Sequence, residues 1–241
     1  MSKKNKKIFA MIPARIGSER LKYKNLAILK NKPLIYYAIN SAKKSKIFDK
    51  IFLNSDNSLF KKISDKYNIQ FYLRKKKYGS SNTKSDTVVN DFFSNHECDI
   101  LVWVNPIAPL IQAHEISGAV KFFIQNNLNS LITVHKKFAH SLIGSKPINF
   151  KFNQVFAKTQ DLKPITIMNY SIMMWKKESF IKSFSKNNHA ILHGKKGFYE
   201  ISDNSALIVK YAEDLELISK IMDSSKKNKS KLRYDKIVND I

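Results

Sequence analysis

Along this chain, short unbroken apolar runs alternate with stretches in which apolar residues recur three and four positions apart. Strands are predicted at residues 8–12, 50–56, 69–74, 99–105, 130–135 and within 165–175. Runs such as Ile8-Phe9-Ala10-Met11-Ile12 and Ile100-Leu101-Val102-Trp103-Val104 have no polar side to turn to water. Such strands are covered on both faces, as in a parallel sheet. Helical spacing marks residues 33–43, 59–67, 87–95, 113–125, 176–185 and 213–222. Pro33 suits a first helical turn. Strand and helix in alternation predict an α/β fold, an open and mostly parallel sheet with helices on both faces. From 136 to 158 the pattern loosens, and Phe138, His140, Phe150, Phe152 and Phe156 mark a β-rich excursion reaching to about residue 170. His135 and His140 lack spaced acidic or cysteine partners and read as structural rather than metal-binding.

One loop changes the picture from fold to chemistry. It leaves the first predicted strand as Pro13-Ala14-Arg15-Ile16-Gly17-Ser18-Glu19-Arg20-Leu21-Lys22-Tyr23-Lys24-Asn25. Open α/β sheets bind their ligands where such loops emerge, at the carboxyl ends of strands. The loop carries three cations (Arg15, Arg20, Lys24), a glycine that permits close backbone approach, and the short polar groups Ser18 and Asn25. Only four of the 43 basic residues are arginine (Arg15, Arg20, Arg74 and Arg233), and two of them fall here. Arginine's planar fork grips phosphate in a way that lysine does not. A polyphosphate suits this inventory.

The formal net charge of +24 raises nucleic acid as a partner. The lysines are spread over the whole chain, without a concentrated arginine-aromatic motif, so specific nucleic-acid binding is not expected. With 241 residues, the chain is expected to form a single domain over 1–241 with a basic polar tail at 224–241, including a short helix at 232–238. No apolar run has the length of a membrane span, and the basic amino end lacks the apolar region of a secretory signal. Cys98 is the single cysteine, which permits no internal disulfide. These features lead to an expectation of a cytoplasmic protein.

The loop resembles the signature of the sugar-activating cytidylyltransferases, most of all the CMP-N-acetylneuraminate synthetases and the related CMP-KDO synthetases. Their pattern, approximately P-A-R-x-G-S-K/x-x-L-x-x-K-N, is matched by Pro13, Ala14, Arg15, Gly17, Ser18, Leu21, Lys24 and Asn25. Glu19 stands where the family has lysine, with Arg20 beside it. Further elements follow in family order. Ser55-Asp56 resembles an S-D element, and would otherwise cap the next helix. Arg74 leaves the third strand, and Ser81, Thr83 and Ser85 lie in a stretch similar to R-P-x-x-L-A-S-D-T, whose alternative role is an N-cap from Ser85 or Asp86. Asn105-Pro106-Ile107-Ala108-Pro109-Leu110-Ile111 resembles Q-P-T-S-P-L-R, and Thr159-Gln160-Asp161-Leu162-Lys163-Pro164 resembles R-x-Q-D-L-x-P.

The resemblance implies a nucleotide-diphospho-sugar transferase fold and a dimer made through the excursion. It also implies attack by an acidic 2-keto-3-deoxy sugar, such as a nonulosonic acid, on CTP to give the CMP-sugar and pyrophosphate. Arg15, Arg20 and Lys24 would take the catalytic role on the triphosphate. Ala14, Gly17, Ser18, Asn25, Arg74, Ser81, Thr83 and Ser85 would hold the nucleotide, and Asn105, Gln160 and Asp161 would face the sugar. Magnesium is expected from the family, held by two aspartates of D-I-D-x-x-E-D-L. Here that element reads Ile208-Val209-Lys210-Tyr211-Ala212-Glu213-Asp214-Leu215. Both metal aspartates are replaced; Lys210 offers a charge in place of an ion, and Asp203, near in sequence, is either a carboxylate to recruit magnesium or the cap of a turn. The alternative function is a catalytically weakened nucleotide- or sugar-binding relative with a regulatory role.

Overall fold

The computed structural model describes residues 6–224. Seven strands build one sheet: β1 (Ile8–Ala14), β2 (Lys50–Ser55), β3 (Gln70–Leu73), β4 (Ile100–Val104), β5 (Ser130–Lys137), β6 (Ile165–Lys176) and β7 (Lys196–Glu200). Their order is β7-β5-β6-β4-β1-β2-β3. All pairings are parallel except those of β6, which runs antiparallel to both β4 and β5. Six helices accompany them: α1 (Leu34–Ser45), α2 (Lys61–Tyr67), α3 (Ser85–Asn95), α4 (Ala113–Gln125), α5 (Lys177–Asn187) and α6 (Ala212–Ser224). The tail expected at 224–241 lies outside the described residues, apart from Ser224 at the end of α6.

Strand alternation sorts one apolar run into two cores. Along β1, Ile8, Ala10, Ile12 and Ala14 enter a cluster with α1 and α4, whereas Phe9 and Met11 face the opposite cluster with α3 and α5. Along β4, Ile100, Val102 and Val104 go one way and Leu101 and Trp103 the other. Helix α1 meets the first cluster with Ile35, Ala38, Ile39 and Ala42, the spacing its sequence predicts. Cys98 lies in the second cluster, where burial pushes its thiol up to about 12, so the group is chemically inert.

Strand β5 runs two residues past its predicted end, because Lys136 and Lys137 pair with Thr166 and Ile165 of β6. Strand β6 breaks register between Asn169 and Met173. The Thr133 hydroxyl fills that gap, donating to the Asn169 carbonyl at 2.7 Å and accepting from the Ile172 amide at 3.1 Å. Between β5 and β6 the excursion holds less strand than its composition suggests. It contains a hairpin of Leu142–Ile143 with Lys146–Pro147, turned by Gly144 at φ +58, and a short 3-10 turn at Thr159–Asp161.

Two expected helix caps are made differently. Asn57, not Ser55 or Asp56, caps the turn before α2, accepting from the Leu59 amide at 2.9 Å. Asp86 reaches out of α3 to accept from the amides of Ala190 and Ile191 at 2.5 and 3.0 Å. In this way Asp86 ties the α5–β7 connection to the start of α3.

Candidate active site

Because β1 connects onward to β2 on one side while β4 lies on its other side, the loops at their carboxyl ends diverge and leave a crevice. A cleft of about 340 Å³ occupies it. One wall is the loop after β1. It passes through a 3-10 turn at Lys24–Leu26, entered by Tyr23 at φ 53, then a tight hairpin whose Lys30 and Asn31 are both left-handed, and so returns to α1. The loop after β4 and the segment from Tyr78 to Ser85 before α3 make the other walls.

Arg15, Arg20, Lys24, Ala14, Ser18, Asn25, Arg74, Ser81, Thr83, Ser85 and Asn105 all line this cleft, although they come from four separated parts of the sequence. Gly17, Gln160 and Asp161 do not. Gly17 is exposed on the loop, and a Cβ added there would meet open space, so no protein contact demands glycine at that position. Gln160 and Asp161 are exposed on the excursion. The excursion springs from the carboxyl end of β5 and the amino end of β6, which lie at the same edge of the sheet as the cleft. Sequence reasoning missed Trp103, Tyr78, Val88 and Ile107, which also line the cleft. Trp103 could have been found from its place on β4, two residues before Asn105 on the same face.

Positive charge dominates the lining. Among the described residues, Arg15, Arg20 and Lys24 form no ion pair, and Glu19 is the one carboxylate on the wall. Lys24 is half-buried, and its ammonium donates to the Val209 carbonyl at 3.3 Å. Burial first, then the charges of Arg20 and Arg15, pull its pKa below the ordinary lysine value, with Asp214 acting weakly in the other direction. Cations held this close repel one another until an anion arrives. Asn25 adds an unmet need: it is 5% exposed and its Oδ1 has no hydrogen-bond partner.

Arg74 has a different situation from the other three cations. Its Nε donates to the Tyr78 carbonyl at 3.3 Å, one terminal nitrogen donates to the carbonyl and the Oδ1 of Asn54 at 2.7 and 3.0 Å, and the other donates to the Ala14 carbonyl and Asp56 at 3.1 and 3.3 Å. Every N–H of the guanidinium is thereby engaged within the protein. Desolvation lowers its pKa while Asp56 and Asp91 oppose the shift, and a guanidinium remains charged throughout. The residue braces the ends of β1 and β2 against the turn at Lys76–Gly79. Gly79 is needed there, since a Cβ would sit 2.3 Å from an oxygen of Asp56.

Asn105 turns the chain after β4, donating to the Tyr170 carbonyl at 3.1 Å. Thr83 closes its own loop by donating to the Lys77 carbonyl at 3.1 Å. Behind the cleft, buried Glu115 accepts from the Gln112 and Ser202 amides, both at 2.9 Å, and from the Ser205 hydroxyl at 2.5 Å. This carboxylate pins the segment that leads to Val209, whose amide in turn donates to the Ile107 carbonyl at 2.8 Å.

That segment does not suit a divalent cation. Ile208 and Lys210 supply no oxygen ligand from their side chains, and Asp203 is ion-paired with Lys137 at 2.7 Å. Among the described residues, no three His, Cys, Asp or Glu side chains gather as a metal site. The side chain of Lys210 is exposed and absent from the cleft wall.

Comparison with known proteins places the chain. A family model described as cytidylyltransferase matches residues 9–221. The N-acylneuraminate cytidylyltransferase of Streptococcus agalactiae serotype V is 27% identical over 188 residues, which cover 74% of this chain and 46% of that protein. The 3-deoxy-manno-octulosonate cytidylyltransferase of Thermodesulfovibrio yellowstonii is 29% identical over 189 residues, covering 76% of this chain and 71% of that one. This chain thus spans about half the length of the first of these relatives. In fold it is similar to a CMP:2-keto-3-deoxy-manno-octonic acid synthetase solved in complex with CTP, with a TM-score of 0.70, 13% identity, and coverage of 91% of this chain and 99% of that one.

Proposed function

Because the chain belongs to the cytidylyltransferase family, we propose that its cleft binds CTP and activates an acidic 2-keto-3-deoxy sugar, of the nonulosonic or a related kind, to give the CMP-sugar and pyrophosphate. One observation carries this reading: Arg15, Arg20 and Lys24, three cations without an ion pair among the described residues, converge with Asn25 on a cleft at the carboxyl ends of β1 and β4. Arg15 and Arg20 grip the triphosphate, and Lys24 lies beside them. Together they stabilise the charge that builds on the phosphate oxygens as the sugar's anomeric oxygen attacks the α-phosphate and pyrophosphate leaves. Ser81, Thr83 and Ser85 face the nucleoside, with Ala14 and Ser18 holding the backbone of the loop close to it and Gly17 outside the cleft wall. Arg74 contributes by fixing the ends of β1 and β2 rather than by donating to the nucleotide. Asn105 faces the sugar.

Pyrophosphate release tests the reading. Release is expected only when CTP and an acidic sugar are both supplied, across a panel of nonulosonic and 3-deoxy-octulosonic acids. CTP binding without release for any sugar would identify a binding relative instead of an enzyme.

The excursion supports a homodimer. Ile143 is 74% and Val155 95% exposed, with Phe138, Phe152 and Phe156 also open to solvent. A second copy covering this surface also gives Gln160 and Asp161 a route to a sugar site that their own cleft does not offer. Ile143→Asp/Val155→Asp is expected to convert a dimer to a monomer in sedimentation equilibrium, and a wild-type chain that sediments as a monomer refutes the arrangement. Residues 6–224 share one sheet and its flanking cores, which supports reading 1–241 as a single nucleotidyltransferase domain. No described helix is long and apolar enough to cross a membrane. A CTP substrate and a buried free thiol support a cytoplasmic location.

Lys24 makes a pH prediction. A bound triphosphate favours the ammonium form, so affinity is flat below the pKa of Lys24 in the free protein and falls above it by about tenfold per pH unit. With that pKa below the ordinary 10.5, the fall begins at a lower pH than an unperturbed lysine gives. Arg20, Arg15 and Asp214 are the charges that act on it. In Lys24→Arg the decline disappears, because guanidinium does not titrate there. A wild-type affinity that stays level up to pH 10.5 contradicts this assignment.

A further inference from the structure

We propose that this cleft takes the triphosphate without a divalent cation held by the protein, the ammonium of Lys24 supplying the positive charge beside the 207–210 segment. The inference rests on the CTP reading above and concerns the form in which the nucleotide binds.

The geometry is specific about what stands at that place. Lys24 donates to the Val209 carbonyl at 3.3 Å, so its head group lies against the stretch in which the family resemblance would place metal-binding aspartates. Val209 is wholly buried, and its amide is committed to Ile107. Asp214 is no substitute ligand. Its Oδ2 accepts from the amides of Lys210 and Tyr211 at 2.7 and 2.8 Å, capping α6. Glu19 is then the single carboxylate left on the wall, and one carboxylate among three cations does not hold a hard dication.

Electrostatics point the same way. Beyond the effect of burial, Arg20 and Arg15 lie close enough to lower the pKa of Lys24, so the three groups repel any further cation that approaches them. Magnesium riding on the nucleotide would compete with these three groups for the same phosphate oxygens and gain no protein carboxylate in exchange. Lys210, the basic residue of this segment itself, does not share the task, since its side chain lies off the cleft wall.

Isothermal titration of the full chain with CTP, once in EDTA and once in magnesium, tests the proposal. The expected dissociation constant in EDTA is within about threefold of that in magnesium, or tighter. Affinity that weakens by more than this in EDTA overturns the proposal. Lys24→Met is expected to lose about tenfold or more in EDTA, with no recovery on adding magnesium; an unchanged affinity, or recovery with magnesium, overturns it. A readout that does not depend on nucleotide is Mn2+ added to the ligand-free protein and followed by electron paramagnetic resonance. Free Mn2+ signal that persists supports the proposal, and stoichiometric uptake refutes it. Binding of CTP only with magnesium would remove this inference and leave the CTP reading standing. Absence of CTP binding in both conditions would remove the two together.

Discussion

Arg15→Ala is expected to lower kcat/KM by about 10²–10³-fold and to weaken CTP binding measurably, with no loss of fold. The size follows from its position and chemistry. Arg15 is the first residue beyond β1, on the cleft wall, and it forms no ion pair among the described residues, so its fork is free for phosphate. A charge-assisted bidentate contact to a phosphate is stronger than a neutral hydrogen bond, and more so where charge grows during reaction. Neighbouring Arg20 and Lys24 partly cover for its absence in binding, so the loss should fall more on kcat than on KM. Arg15→Lys should recover part of the activity, since it keeps the charge and loses the fork. Unchanged turnover in Arg15→Ala would place the reaction away from this loop.

Arg74→Met is the second large effect, and it is one of stability. The Arg74 and Asp56 side chains are 4% and 8% exposed and 3.3 Å apart at the ion pair. Breaking a buried pair by removing one partner leaves an uncompensated charge, at a cost of about 3–5 kcal/mol. The other acceptors, the carbonyls of Ala14, Asn54 and Tyr78, lose their donor as well. The midpoint of urea unfolding should fall steeply, and Arg74→Met/Asp56→Asn should recover part of it because the stranded carboxylate is gone. A wild-type midpoint for Arg74→Met would show that the guanidinium does not brace these strand ends. If instead Arg74 served mainly as a nucleotide ligand, its loss would appear in CTP affinity with stability intact.

Much of the fold was legible because its signal is local. The runs at β1 and β4 are apolar on both faces, the spacing of Ala113–Gln125 is helical throughout, and short connections separate them. The nucleotide loop was legible for a different reason: arginine is scarce in this lysine-rich chain, so two within six residues stand out. What stayed hidden depends on pairing across the sheet. No local pattern says that β6 runs antiparallel, or that Thr133 bridges the register break opposite Asn169. Arg74 shows the same limit at the site. Its sequence position pointed to the cleft, but only the folded chain brings Ala14, Asn54 and Asp56 round it and engages all its donors. The excursion misled by composition, since its aromatics suggest strands, whereas His140 stacks on Phe156 at 3.8 Å within an irregular loop.

A crystal structure grown with CTP shows where the triphosphate sits. The triphosphate is expected between Arg15, Arg20 and Lys24 at the carboxyl ends of β1 and β4, with the cytosine toward the Tyr78-to-Ser85 wall. A nucleotide bound elsewhere on the molecule, with those three side chains left facing solvent, would contradict it.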